Sequence, residues 1–413
     1  MAEVEKTLNK QATTSQDHFE VLDGLRGIAI FLVVWFHIWQ QSWLGTSFKI
    51  LGHTIDLNFL PRVGFIGVDL FIILGAFGLF YPFARKKFEG KEIRSLKEFT
   101  YRRCIRIIPS YYLSIILMVL LAQGTVAIEG KDLWHIGRHF LFINNLYHDT
   151  LFGSFNSVAW YVALAVQFYL LFPLLCWLFY RWPIFTYIGM TATGIIYRYW
   201  VIQYQHDQLS FLFNQVPGYI DIYANGMLAA FLVCFIKNRV KGIDRLKVFS
   251  TLLAIISFLI FLELMKYLDR NRYNGLQDFQ LLTRPYFGLA FMCLVIFSVF
   301  SFKYWKILLA NKVTVFLSVI SFNLFLWHQF IAVQFRLREI IPWNGNDPHN
   351  DPHWQLFYTL AVVAVSVIVA TLITYLFERP IERNGLRGTA TMILTSPIKM
   401  LKCRTNINEK KKG

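Results

Sequence analysis

The sequence predicts an all-α fold, a polytopic membrane bundle of about ten transmembrane helices with both termini cytoplasmic. Three observations carry this. The 413 residues are 56% hydrophobic and 17% aromatic, with only 16% charged and a mean hydropathy of +0.45. Apolar runs of roughly 20 residues recur along the chain, the length a helix needs to cross the hydrocarbon core. Lys and Arg are unevenly spread: with both tails and every second loop taken as cytoplasmic, 30 of the 41 fall inside. That bias accounts for the net charge of +16 without nucleic acid as a partner. The five cysteines form no CxxC pair, so neither a disulfide framework nor a zinc site is indicated.

Taken in order, residues 1–20 read as a polar cytoplasmic tail without the marks of a cleaved signal, and 21–385 as the membrane domain. Spans are expected near 22–41, 64–83, 107–123, 158–180, 184–202, 217–236, 248–265, 285–302, 314–335 and 355–377. The basic segment from Arg85 to Arg106 is amphipathic and suits the inner membrane surface. Residues 386–413 form a basic cytoplasmic tail attracted to anionic lipid.

Ionisable groups inside spans cost a few kcal/mol each, so they mark function by default. The first span carries Asp23, Arg26 and His37. Eleven residues separate Arg26 from His37, which puts them on one helical stripe about 16 Å apart. Asp69 lies near the outer end of the second span, where a carboxylate beside His37 would fix its tautomer. Capping or an arginine partner is the alternative for Asp69. Arg103 and Arg106 are three residues apart at the inner end of the third span, a paired fork suited to polyphosphate, or a topology signal. The fourth span carries Trp160, Gln167 and Tyr169, and the ninth Asn323 and His328. His328 sits at the depth of His37, and together these groups imply one polar cavity inside the bundle. His135 and His139 have metal-ligand spacing, and the loop from Pro342 to Trp354 repeats Asp-Pro-His. An interfacial helix and a turn-rich loop explain them better. GxSxG, HExxH and P-loop signatures are absent from the sequence.

LDGLRGIAIFLVVWFH, GVDLFIILGAF, RRCIRIIPSYY, AWYVALAVQFYLLFPLL, FNLFLWH and FERPIE occur in the order seen in the acyltransferase-3 family of bacterial membrane acyltransferases, which the chain resembles over about 20–385. The family's basic-residue-to-histidine signature falls on Arg26 and His37, and its Arg-x-x-Arg signature on Arg103 and Arg106. The resemblance implies transfer of an acyl group, usually acetyl from cytoplasmic acetyl-CoA, to a sugar hydroxyl of an envelope glycan or lipid-linked acceptor. His37 would be the essential residue, supported by Arg26, Asp69, Arg103 and Arg106, in the bacterial cytoplasmic membrane. No permanently bound cofactor or metal is implied; acyl-CoA is the donor substrate. Ala165 and Val166 stand where many members carry carboxylates, and Gly75 or its neighbour where serine is commoner, so a mechanism relying on those groups does not transfer. The esterase-like domain fused to some members has no counterpart in these 413 residues, which leaves the spans acting alone or with a separate periplasmic partner. The competing class is a transporter or flippase for a glycan precursor, since buried charges line transport paths too. The sequence lacks the paired interrupted segments that point to transporter repeats.

Overall fold

Among the described residues, ten long helices form where the ten apolar runs stand. The computed structural model describes residues 19–385 apart from 51, 94, 122–132, 153–155, 241–245, 344–346 and 384. The tails expected at 1–20 and 386–413 therefore lie outside the described residues, except for Phe19 and Glu20. Helix α1 is Glu20–Ser42, with Glu20 and Asp23 in its first turn, where acidic groups complement the helix dipole. After it come an exposed hairpin, β1 Ser47–Ile50 with β2 His53–Asp56, and two short turns leading into α2, Gly67–Glu89. Gly90, at φ +67°, closes α2 in the left-handed region that glycine tolerates.

The others are α3 Leu96–Leu121, the short outer α4 Leu133–Phe140, α5 Ala159–Arg181, α6 Pro183–Tyr204 and α7 Val216–Arg239. Then follow α8 Lys247–Arg270, α9 Leu276–Phe300, α10 Lys312–Leu337 and α11 Pro352–Ile373, which runs on through a π-helical turn, Thr374–Glu378. Sequence sets several of these starts. Asn311 accepts from the Val313 and Thr314 amides at the head of α10. Asp351 caps α11 in the same way, accepting from the His353 and Trp354 amides, with Pro352 at the first helical position. Asp347 accepts from His349 N–H, so the Asp-Pro-His loop uses its acids as turn caps. Nine of the described helices are long and apolar enough to cross a membrane; α6, at 22 residues, is less apolar and packs on α7.

The helices that matter most for the site are α1 and α10, the most extensively packed pair. They run parallel: Gly27 faces the Thr314 backbone, and ten residues further on His37 meets His328. A Cβ on Gly27 would come within 2.8 Å of the Thr314 Cα, so only glycine admits this approach. By the charge bias, the end of the bundle that holds the α1 N-terminus is called inner and the opposite end outer.

Candidate active site

Two imidazoles meet near the outer ends of α1 and α10. The Nε2 of His328 lies 3.1 Å from the Nδ1 of His37. The same His37 nitrogen is 3.0 Å from the Val33 carbonyl, and His328 Nδ1 is 2.9 Å from the Leu324 carbonyl. His328 is fully buried, while His37 is partly exposed. Phe36 and Phe325 pack against the two rings. The equal depth expected for these histidines thus becomes direct contact.

Asp69 does not orient His37. Its contact is with the guanidinium of Arg284, 3.5 Å away, in a pair that is almost completely buried. The cause is axial stagger. Gly64 and Gly67 pack against the backbone of Leu32 and Ala29, and α1 and α2 are antiparallel. That register sets Asp69 level with Gly27, ten residues and about 15 Å inward of His37. There it joins a network of four helices. Arg284 also donates to the Gly218 carbonyl and the Tyr219 hydroxyl, both at 3.2 Å, and Arg198 grips Asp221 through two bonds of 2.8 and 2.6 Å. Sequence reasoning singles out neither: Arg284 falls just outside the expected eighth span, and Arg198, although inside the expected span of 184–202, is grouped with the outer basic residues in the charge count.

The arginines gather at the inner end. A cavity of about 1490 Å³ is lined by Arg85, Lys86, Arg102, Arg103, Arg106 and Arg383, with Trp177 and Tyr180 on its wall. A second, of about 500 Å³, shares Arg106 and Glu382 with it and reaches Asp23, Arg26, Ser318 and Glu378. Arg26 is paired with Asp23 at 2.9 Å, and Arg106 lies 3.9 Å from Glu382. Arg103 stands over the Tyr169 ring at 5.8 Å. Asn323 belongs here too, since its amide donates to Thr374, at 2.9 Å, and to Glu378. Sequence reasoning misses Glu378 as a site residue: it falls one position past the expected end of the tenth span, inside FERPIE, and π turns of this kind often mark functional positions.

The expectation of one cavity joining all the polar groups is therefore corrected. His328 is five residues beyond Asn323, which turns it 140° away and about 7.5 Å outward. Gln167 bonds Asn145 at 2.8 Å, and Trp160 stacks on Tyr219 at 5.9 Å, so both side chains are engaged away from the histidine pair. Aromatic rings link the two levels. Tyr161 lies 5.1 Å from Phe325 and 6.3 Å from Phe71, and Phe325 is 5.9 Å from His328. On the outer surface, His135 and Arg138 both hold Asp149, at 2.8 and 2.6 Å. Burial, then the neighbouring His135, push His139 down to about 4, which leaves it neutral at physiological pH. Residues 122–132 and 153–155, between α3 and α5, lie outside the described residues.

A basic inner cavity and an outer imidazole pair lie in one helical bundle, nine of whose described helices are long and apolar enough to cross a membrane, as in a multi-pass membrane protein. The chain belongs to the family described as the acyltransferase domain, whose model matches residues 19–373. It is thus a membrane acyltransferase that transfers groups other than aminoacyl groups. It is 27% identical over 325 residues to a protein of Acidianus two-tailed virus provisionally named an acetyltransferase, covering 78% of this chain and 86% of that one. A provisionally named O-acetyltransferase of Staphylococcus aureus strain COL is 22% identical over 389 residues, 89% of this chain and 58% of its own. The peptidoglycan O-acetyltransferase OatA of Listeria monocytogenes is 23% identical over 399 residues, 90% of this chain. The chain spans 57% of that relative's length, little more than half. No solved structure matches the chain.

Proposed function

We infer that the chain carries an acyl group, acetyl in the first instance, from cytoplasmic acyl-CoA to a hydroxyl of an envelope glycan or lipid-linked sugar. The observation that supports this best is the inner cavity, larger than the roughly 300–1,000 Å³ of most ligand pockets and lined by six basic side chains against three carboxylates, Glu92, Glu98 and Glu382. Guanidiniums bind phosphate oxygens through two parallel bonds, so Arg103 and Arg106 take the CoA phosphates. The pantetheine arm enters past Arg26 into the second cavity. At the outer level His37 takes the acceptor hydroxyl's proton as that oxygen attacks the thioester carbonyl. The C–S bond breaks, the thiolate recovers the proton, and the products are an O-acyl sugar and free CoA. The glycan approaches from the outer loops, where Trp43 stacks on His349.

The test is purified full-length protein in nanodiscs with labelled acetyl-CoA and a panel of glycans. Peptidoglycan comes first, because it is the acceptor in the listerial relative's name. Covalently labelled glycan is the expected result, and unlabelled glycan across the panel overturns the reading. Donor binding is checked separately. Arg103→Lys and Arg106→Lys keep charge but lose the fork, so calorimetric affinity for acetyl-CoA should fall about ten- to a hundredfold, the worth of a charge-assisted contact of roughly 1.5–3 kcal/mol. Parent-like binding in both variants would remove the phosphates from this cavity.

Sidedness has its own check. Ten crossings with both ends inside predict that reporters fused after Ile55, Lys91, Asn145 and Lys410 read out, in, out and in. A reporter at Lys91 on the outer side would put the basic cavity where no CoA is available.

A further inference from the structure

The two histidines determine each other's tautomers. Each ring has one nitrogen against a backbone carbonyl four residues back, His37 Nδ1 at 3.0 Å from Val33 O and His328 Nδ1 at 2.9 Å from Leu324 O. A carbonyl oxygen only accepts, so a bare ring nitrogen at that distance would set two lone pairs against each other. Both Nδ1 atoms therefore carry their protons. In a neutral His328 this leaves Nε2 bare, and it lies 3.1 Å from His37 Nδ1. The only consistent arrangement has His37 Nδ1–H shared between Val33 O and His328 Nε2. The opposite assignment, with His328 Nε2–H donating to a bare His37 Nδ1, leaves both carbonyls facing lone pairs. His37 must then present a bare Nε2, and that atom makes no hydrogen bond among the described residues.

We propose that His328 is the positioning residue of the transfer reaction: through its Nε2 it holds His37 as the Nδ1–H tautomer, so that His37 Nε2 is the atom that takes the acceptor's proton. This rests on the reading of His37 as the base. It gives His328 the orienting part that a carboxylate plays in a catalytic triad, played here by a neutral acceptor that is itself fixed by the α10 backbone. Asp69, about 15 Å inward, has no share in it.

Nitrogen-15 NMR of histidine-labelled full-length protein in nanodiscs tests the tautomers without any activity. Among the ten histidines, the His37 and His328 signals are assigned by their loss in His37→Gln and His328→Gln. At neutral pH the parent should show protonated Nδ1 and bare Nε2 for both residues. A His37 signal with protonated Nε2 overturns the proposal even if His37 proves essential.

The kinetic arm compares His328→Gln with His328→Leu. A glutamine oxygen can accept where the imidazole Nε2 did; leucine cannot. Turnover should drop about ten- to a hundredfold in the leucine variant with acetyl-CoA KM unchanged, and glutamine should restore most of it. Equal turnover in the two variants counts against the role. If instead His37→Gln keeps its turnover while the tautomers are as stated, the reading of His37 as the base has failed and the pair is architectural.

Discussion

Replacing His37 with glutamine should abolish acyl transfer while leaving expression, membrane insertion and acetyl-CoA binding near normal. Glutamine keeps the side chain's hydrogen-bonding capacity and much of its length, but its amide does not accept a proton near neutral pH. A positioned general base contributes about 10²- to 10⁴-fold, so turnover should fall by at least about a hundredfold. His37→Ala should behave alike and, measured by calorimetry, still bind donor, because the basic cavity lies at the other end of the stripe from His37. Two results would reverse the assignment. Near-parent turnover in the glutamine variant would make His37 a packing residue. Weak donor binding by the His37 variants beside parent-like binding by the arginine ones would place His37 in the donor site.

Much of this architecture is legible in the sequence because a bilayer permits so few solutions. A run such as 22–41 or 217–236 has to be a helix, since lipid offers its backbone no other partner, and α1 and α7 stand there with ends shifted by a few residues. Depth along a single helix is legible too, which is why counting residues matches His37 to His328. What the residues alone withhold is the stagger and rotation of one helix against the next. Asp69 counts as near the outer end of its span, yet the turns from Phe59 to Ile66 already pack beside α1, and the carboxylate ends far inward. Arg284 illustrates the same gap. With the eighth span expected from 285, it looks like a surface cation; α9 starts at Leu276, and Arg284 becomes fully buried. Arg198 and Asp221 satisfy each other across α6 and α7, and nothing in either segment announces the partner.

The buried Asp69–Arg284 pair should be the strongest single determinant of stability in the bundle's middle. Arg284 is 0% and Asp69 2% exposed. With Arg198 and Asp221 the cluster holds two positive and two negative groups, so losing either acid leaves a buried guanidinium uncompensated. Removing one partner of such a pair costs about 3–5 kcal/mol, whereas replacing both with apolar groups of similar volume is often neutral or better. Asp69→Leu should therefore unfold at a markedly lower temperature in detergent, followed by tryptophan fluorescence. Adding Arg284→Met to it should recover much of the loss. Activity then separates structure from chemistry. If Asp69 serves only Arg284, the double variant regains acetyl transfer along with its stability. A double variant that folds and binds acetyl-CoA like the parent but fails to turn over would return Asp69 to the reaction, in a role other than orienting His37.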